Sequence, residues 1–151
     1  MALTLVPSQF FVPSAAREAL AEVCPVADED KVRSVELPQY AAVLIYSSGS
    51  EDDSLPELFR VIESLGSCKE YNKVVASYDG AVLSLAIAQG RTLLLANEFG
   101  AADFTTALYF IFLSMRSLQL NPEISTVCFR SPLGVEQEMC LGRYFKDVVR
   151  I

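Results

Sequence analysis

The stretch from Lys73 to Val149 constrains the fold more than any other part of this chain. It reads as three consecutive strands, a nearly all-apolar helix, one more strand and one more helix. Lys73 to Tyr78 is the first strand. Ala81 to Ala88 is the second, with Leu83, Leu85 and Ile87 on one face, as the two-residue period of a strand requires. Arg91 to Ala96 is the third, apolar on both faces, a pattern that predicts cover on both sides. Asp79-Gly80 joins the first two strands and predicts a two-residue type I′ turn, which needs positive φ at both central positions. Gln89-Gly90 is a weaker hairpin signal.

Asp103 is placed to cap the next helix, Phe104 to Leu120, by accepting a hydrogen bond from an open backbone N–H of its first turn. That helix is apolar almost all round through Leu108, Tyr109, Phe110, Ile111, Phe112, Leu113 and Met115. Such a helix is either central to a core or docked against a partner. Asn121-Pro122 ends it, and Thr126 to Phe129 is the next strand. Pro132 and Gly134 lead into a last helix with Leu141, Phe145 and Val148 on one face; Gly142, costing about 1 kcal/mol in a helix interior, predicts close packing there.

Upstream, Leu3 to Val6 suits a strand stopped by Pro7. Ser14 is placed to cap a helix carrying Ala16, Leu20 and Val23, which Pro25 ends. Val32 to Leu37 and the apolar run Ala41 to Tyr46 read as two further strands. Ser47 to Asp53 is an acidic loop and the plausible boundary between an N-terminal α/β segment, 1–53, and a second segment, 54–151. Ser54 and Glu57 then have the spacing of a capping box. Leu55, Leu58, Phe59, Ile62 and Leu65 follow at helical spacing, and Gly66 is suited to the left-handed C′ position.

Chemistry is sparse. The chain has no His among its 151 residues, so Ser–His and Cys–His nucleophile pairs are impossible and the common Cys/His zinc sites are excluded. Cys24, Cys68, Cys128 and Cys140 are scattered without a C-x-x-C pair. Cys128, in an apolar strand, reads as a small core residue. No phosphate-cradling G-x-x-x-x-G-K-[ST] or G-x-G-x-x-G pattern occurs. The net charge of −7 argues against nucleic acid and acidic membranes as partners. The runs Asp28-Glu29-Asp30 and Glu51-Asp52-Asp53 lack the alternation and central Gly of a calcium loop and read as solvated. Glu136 and Glu138 read as the wet face of the last helix. The longest apolar run, Ala107 to Leu113, falls far short of the roughly 20 residues that cross a bilayer. A reduced, cytoplasmic protein is the expectation. Hydrophobic residues make up 52%, which leaves room for an apolar face toward a protein partner or a second copy.

Three segments carry a resemblance: Leu3-Thr4-Leu5-Val6-Pro7-Ser8-Gln9-Phe10-Phe11, Leu94-Leu95-Ala96-Asn97-Glu98-Phe99, and Asp103 through Tyr109-Phe110 to Leu118-Gln119-Leu120. Together they resemble an uncharacterised bacterial domain-of-unknown-function family, found mainly in bacteroidetes, with an actin-like ATPase fold. The resemblance implies a mixed α/β sheet, with a three-strand antiparallel meander followed by α-β-α, in the ribonuclease-H-like manner. It also implies that Asp79 and Gly80 match the hairpin that approaches nucleotide phosphates in active members, with ATP and Mg as the cofactors of that alternative. Two departures accompany it. The residues before Lys73 do not repeat the meander, and the expected fifth strand of the unit is not read before Ile151, so the unit is expected to be incomplete. The expected function is a non-catalytic actin-like scaffold or protein-interaction module, with a nucleotide-binding ATPase as the alternative.

Overall fold

The computed structural model describes residues 2–48 and 54–151 and divides into two compact units, Met1–Pro56 and Glu57–Ile151. The acidic run Glu51 to Asp53 lies outside the described residues.

In the first unit, β1 (Leu3–Pro7), β2 (Lys31–Leu37) and β3 (Ala42–Ser48) form an antiparallel sheet in the order β1-β3-β2. Leu3 faces Tyr46 and Val6 faces Val43; Val35 faces Leu44 from the other side. The unbroken apolar run of β3 is explained by its central place, which buries every one of its residues. Leu20 of α1 (Ala16–Ala21) packs with Val43 and Ile45. Ser14 does not cap α1. It lies in a 3-10 turn, Pro13–Ala15, that leads into the helix, and Val23 lies past the helix end, 62% exposed. Asp28 to Asp30 form a turn in which the Asp30 carboxylate accepts from the Ala27 N–H at 3.3 Å.

The second unit contains α2 (Glu57–Ser64), β4 (Asn72–Tyr78), β5 (Val82–Gln89), β6 (Thr92–Gly100), α3 (Phe104–Ser117), β7 (Thr126–Phe129), α4 (Val135–Gly142) and β8 (Asp147–Arg150). Its five strands lie in the order β6-β5-β4-β7-β8. β5 is antiparallel to both neighbours, whereas β4, β7 and β8 run parallel. One sheet face presents Val74, Ala76, Leu83, Leu85 and Ile87 to Ile111 and Met115 of α3 and to Leu141 of α4. The amphipathic α2 packs on β4 and β5, with Leu58, Val61 and Ile62 fully buried.

Six sequence expectations need correction. The last helix does not reach Val148. It ends at Gly142, Phe145 is buried beneath Phe112 with ring centroids 5.7 Å apart, and Val148 belongs to β8, paired with Val127. The fifth strand of the unit is therefore present. Gly142 is the last residue of α4, and a Cβ there would meet nothing within 4 Å, so close packing is not its role. β6 is an edge strand with no buried residue, not a strand covered on both sides. Gly66 lies in a 3-10 turn, Leu65–Ser67, and does not take positive φ. The helix expected from Ser54 starts at Glu57, whose carboxylate is engaged by Ser77 of β4 and by Arg130, the residue after β7.

α3 ends in a Schellman motif. The Leu120 N–H donates to the Met115 carbonyl at 2.8 Å and the Gln119 N–H to that of Arg116 at 3.0 Å. The left-handed residue is Gln119, at φ 59°, where glycine is usual.

Candidate functional site

Three clusters in the second unit bear on function. The first is the β4–β5 hairpin. Tyr78 pairs with Leu83 and the Asp79 N–H donates to the Val82 carbonyl at 3.3 Å, so Gly80 and Ala81 make the turn; Gly80 has positive φ (96°) and Asp79 does not, so the type I′ turn expected from Asp79-Gly80 does not form. Asp79 instead folds the loop with its own side chain: Oδ1 accepts from the N–H of Ala81 at 2.8 Å and of Val82 at 2.7 Å. Those two bonds favour the charged form and hold the Asp79 carboxyl below its ordinary value. The β5–β6 turn is also two residues long, Gly90-Arg91, between the paired Gln89 and Thr92. Gly90 at φ 57° in the first central position is the pattern of a type II′ turn.

The hairpin lies at the carboxyl ends of β4 and β7, where open α/β sheets bind ligands. The Tyr78 N–H donates to Ser131 Oγ at 2.9 Å, and the Tyr78 hydroxyl donates to the Ala101 carbonyl at 2.8 Å. Asp103 caps α3 by accepting from the Thr106 N–H at 2.7 Å. Partial desolvation, together with the charges of Asp103 and Asp79, pushes the Tyr78 phenol up. This end thus gathers two carboxylates and two hydroxyls. Both carboxylates are engaged by backbone N–H groups through one of their oxygens. Among the described residues, no group of three or more His, Cys, Asp or Glu could by itself hold a metal ion.

The second cluster joins α2 to the sheet. Glu57 Oε2 accepts from Ser77 Oγ at 2.7 Å and from Arg130 Nε at 3.3 Å, and Oε1 accepts from the other arm of Arg130 at 3.1 Å. The fork of the guanidinium thus meets both carboxylate oxygens. In the sequence Glu57 looked like a helix cap; its long-range partner could not be seen there.

The third cluster is a groove of about 540 Å³ between the end of α3 and the α4–β8 connection, within the usual size range for small-molecule sites. Phe112, Leu120 and Tyr144 line it, with Arg116, Arg143 and Glu123. The Phe112 and Tyr144 rings meet edge-on at 5.0 Å. Neither Arg116 nor Arg143 has a side-chain hydrogen bond or ion pair among the described residues. The sequence reading passed over both arginines, because nothing in a lone Arg signals which rings it will stand beside. Along α3 the apolar surface continues outward through Leu113, 46% exposed, and Tyr109, 59% exposed. Among the described residues, no helix is long and apolar enough to cross a membrane.

A five-strand mixed sheet in this order, with helices on both faces, places the chain among proteins of the actin-like ATPase, ribonuclease-H-like fold. A solved protein from Bacteroides thetaiotaomicron, with an actin-like ATPase fold and unknown function, superposes with a TM-score of 0.79 at 16% identity. That match covers 99% of this chain and 65% of the other, so this chain spans about two thirds of its neighbour's length. No family model matches the chain, and no curated protein matches it.

Proposed function

We propose that this chain is a non-catalytic, actin-like scaffold or protein-interaction module, and that the groove at the α3 end receives an acidic segment of a partner protein. One observation carries the reading: Arg116 and Arg143, which have no side-chain partner among the described residues, flank an aromatic floor in a chain whose net charge is −7. Arginine and tyrosine beside apolar pockets are the residues that most often dominate binding energy at interfaces. The partner is read as a peptide segment with carboxylates for the arginines and one aromatic or aliphatic side chain for Phe112 and Tyr144. A second copy of the chain could supply it. The test is fluorescence anisotropy with a labelled peptide of alternating Glu and Phe, on the native chain and on Arg116→Glu/Arg143→Glu. The reading requires saturable binding that weakens with salt and is lost in the double variant. Equal binding to both proteins, or none, would sink it. Sedimentation velocity of the same pair reports whether a second copy is the partner.

The position of the hairpin favours a second reading, a nucleotide-binding protein in which Asp79 and Gly80 approach an ATP–Mg phosphate. Bound Mg-ATP would supply the cation and the phosphates. Asp79 would orient a water of the cation's shell, and Gly80 would allow close backbone approach. Isothermal titration with Mg-ATP decides it, with Asp79→Asn as control because the amide oxygen keeps the acceptor of the loop. Binding lost in that variant favours the nucleotide reading; no heat at high concentration leaves the interaction module. The segment resemblances support reading the chain as a member of the domain-of-unknown-function family, the bacteroidete neighbour supports a bacterial source, and four free thiols fit a reducing, cytoplasmic compartment.

A further inference from the structure

The four cysteines are all free thiols, yet two of them meet. Cys68 follows the Leu65–Ser67 turn in the α2–β4 connection, and Cys128 lies in the middle of β7, 60 residues later. Their Sγ atoms are 3.6 Å apart. A disulfide needs about 2.05 Å. Closing that gap takes a small movement of the Cys68 side, which sits in an irregular connection, while Cys128 is held between β4 and β8 by its pairing with Val75 and Val149. The two thiols are also unequal. Cys68 is half-buried and reachable, whereas Cys128 is buried at 5% exposure. Lys73 Nζ donates to the Cys68 carbonyl at 3.0 Å and to the Glu70 carbonyl, which holds a positive charge beside Cys68. The hydrogen-bonded contact with Cys128 lowers the Cys68 thiol below its ordinary value, and that same contact together with burial pushes Cys128 up.

We propose that Cys68 and Cys128 are a peroxide-responsive pair, Cys68 attacking and Cys128 resolving, that closes into a reversible disulfide. This goes beyond the interaction reading and does not depend on it. In the first step the Cys68 sulfur bonds to one oxygen of hydrogen peroxide and the O–O bond breaks. The leaving oxygen takes the thiol proton and departs as water, leaving a sulfenic acid. In the second step the Cys128 sulfur attacks the Cys68 sulfur and the S–O bond breaks. A second water leaves with the Cys128 proton. Two thiols have supplied two electrons, and one peroxide has become two waters. The product ties the α2–β4 connection to the strand at the centre of the parallel half of the sheet.

The test is peptide mapping of the native chain after hydrogen peroxide treatment and alkylation of the remaining thiols. The expected result is a Cys68–Cys128 cross-linked peptide, loss of two of the four thiols from the monomer, and full recovery with dithiothreitol. In Cys128→Ser the cross-link should vanish, and a 1,3-dione should trap a sulfenic acid at Cys68. In Cys68→Ser no such adduct should form at Cys128. Recovery of both residues as alkylated thiols after peroxide, or a cross-link through Cys24 or Cys140 instead, would overturn the proposal. So would a Cys68–Cys128 link that forms only in denaturant.

Discussion

At the scale of single residues, backbone sign decides more than side-chain type. Gly90 and Gln119 both sit in the left-handed region, at φ 57° and 59°, yet only one is glycine. A Cβ on Gly90 would also stand 3.1 Å from the Tyr71 ring. Gly90→Ala is therefore expected to destabilise by roughly 1–2 kcal/mol, the left-handed penalty of an L-residue. Gln119→Gly should stabilise by about 1 kcal/mol for the same reason in reverse, less the entropy that glycine returns to the unfolded chain. Urea midpoints of the two variants check this: they should move in opposite directions. Asp79 shows why the turn type escaped the sequence. The dipeptide Asp79-Gly80 is compatible with a turn centred on itself, but Asp79 Oδ1 takes the N–H groups of Ala81 and Val82 and the turn forms one residue later, at Gly80-Ala81; that preference has no signature in the dipeptide.

At the scale of elements, the period of the hydrophobic pattern located most strands and helices but could not say which face of an all-apolar helix meets the core. In α3, Ile111 and Met115 are fully buried while Leu113, between them, is 46% exposed. Ile111→Ala should cost about 2–5 kcal/mol, since it opens a cavity between helix and sheet. Leu113→Ala should stay within about 0.5 kcal/mol of the native chain. Guanidinium denaturation of both variants measures the contrast, and equal losses would mean that the face is assigned wrongly. β8 was missed for a related reason. Leu141, Phe145 and Val148 fall at spacings a helix could satisfy, but Val148-Val149 is a β-branched pair that stiffens at χ1 and fits a strand. Pairing with β7 then outweighs any continuation of α4. The clusters were less legible than the fold. Glu57 with Arg130, and Cys68 with Cys128, are separated by 73 and 60 residues, and only the sheet order brings them together.

At the scale of the whole molecule, its carboxylates respond to acid in opposite senses. The N–H groups of Val82 and Ala81 lower the Asp79 value, and that of Thr106 lowers the Asp103 value. Each therefore contributes stability that is in place above its unfolded value, about 3.9, and is lost as pH falls through the lower folded value. Glu98 on β6 is the reverse. Burial raises its value, with Ser84 Oγ donating only a long 3.5 Å bond to it. Its contribution is full below the unfolded value of about 4.3 and is lost as pH rises through the raised folded one. At neutral pH the native chain thus carries a desolvated charge on an edge strand. Glu98→Gln should be more stable than the native chain near pH 7, and the difference should shrink toward zero as the medium is acidified and the native carboxyl takes up its proton. Asp79→Asn/Asp103→Asn should be less stable near pH 7, and that difference too should shrink, but only at lower pH, below the unfolded aspartate value. Urea unfolding of the three proteins across that range tests both signs together. Differences of the same sign at neutral pH would show that the burial of Glu98 is not costing the fold stability.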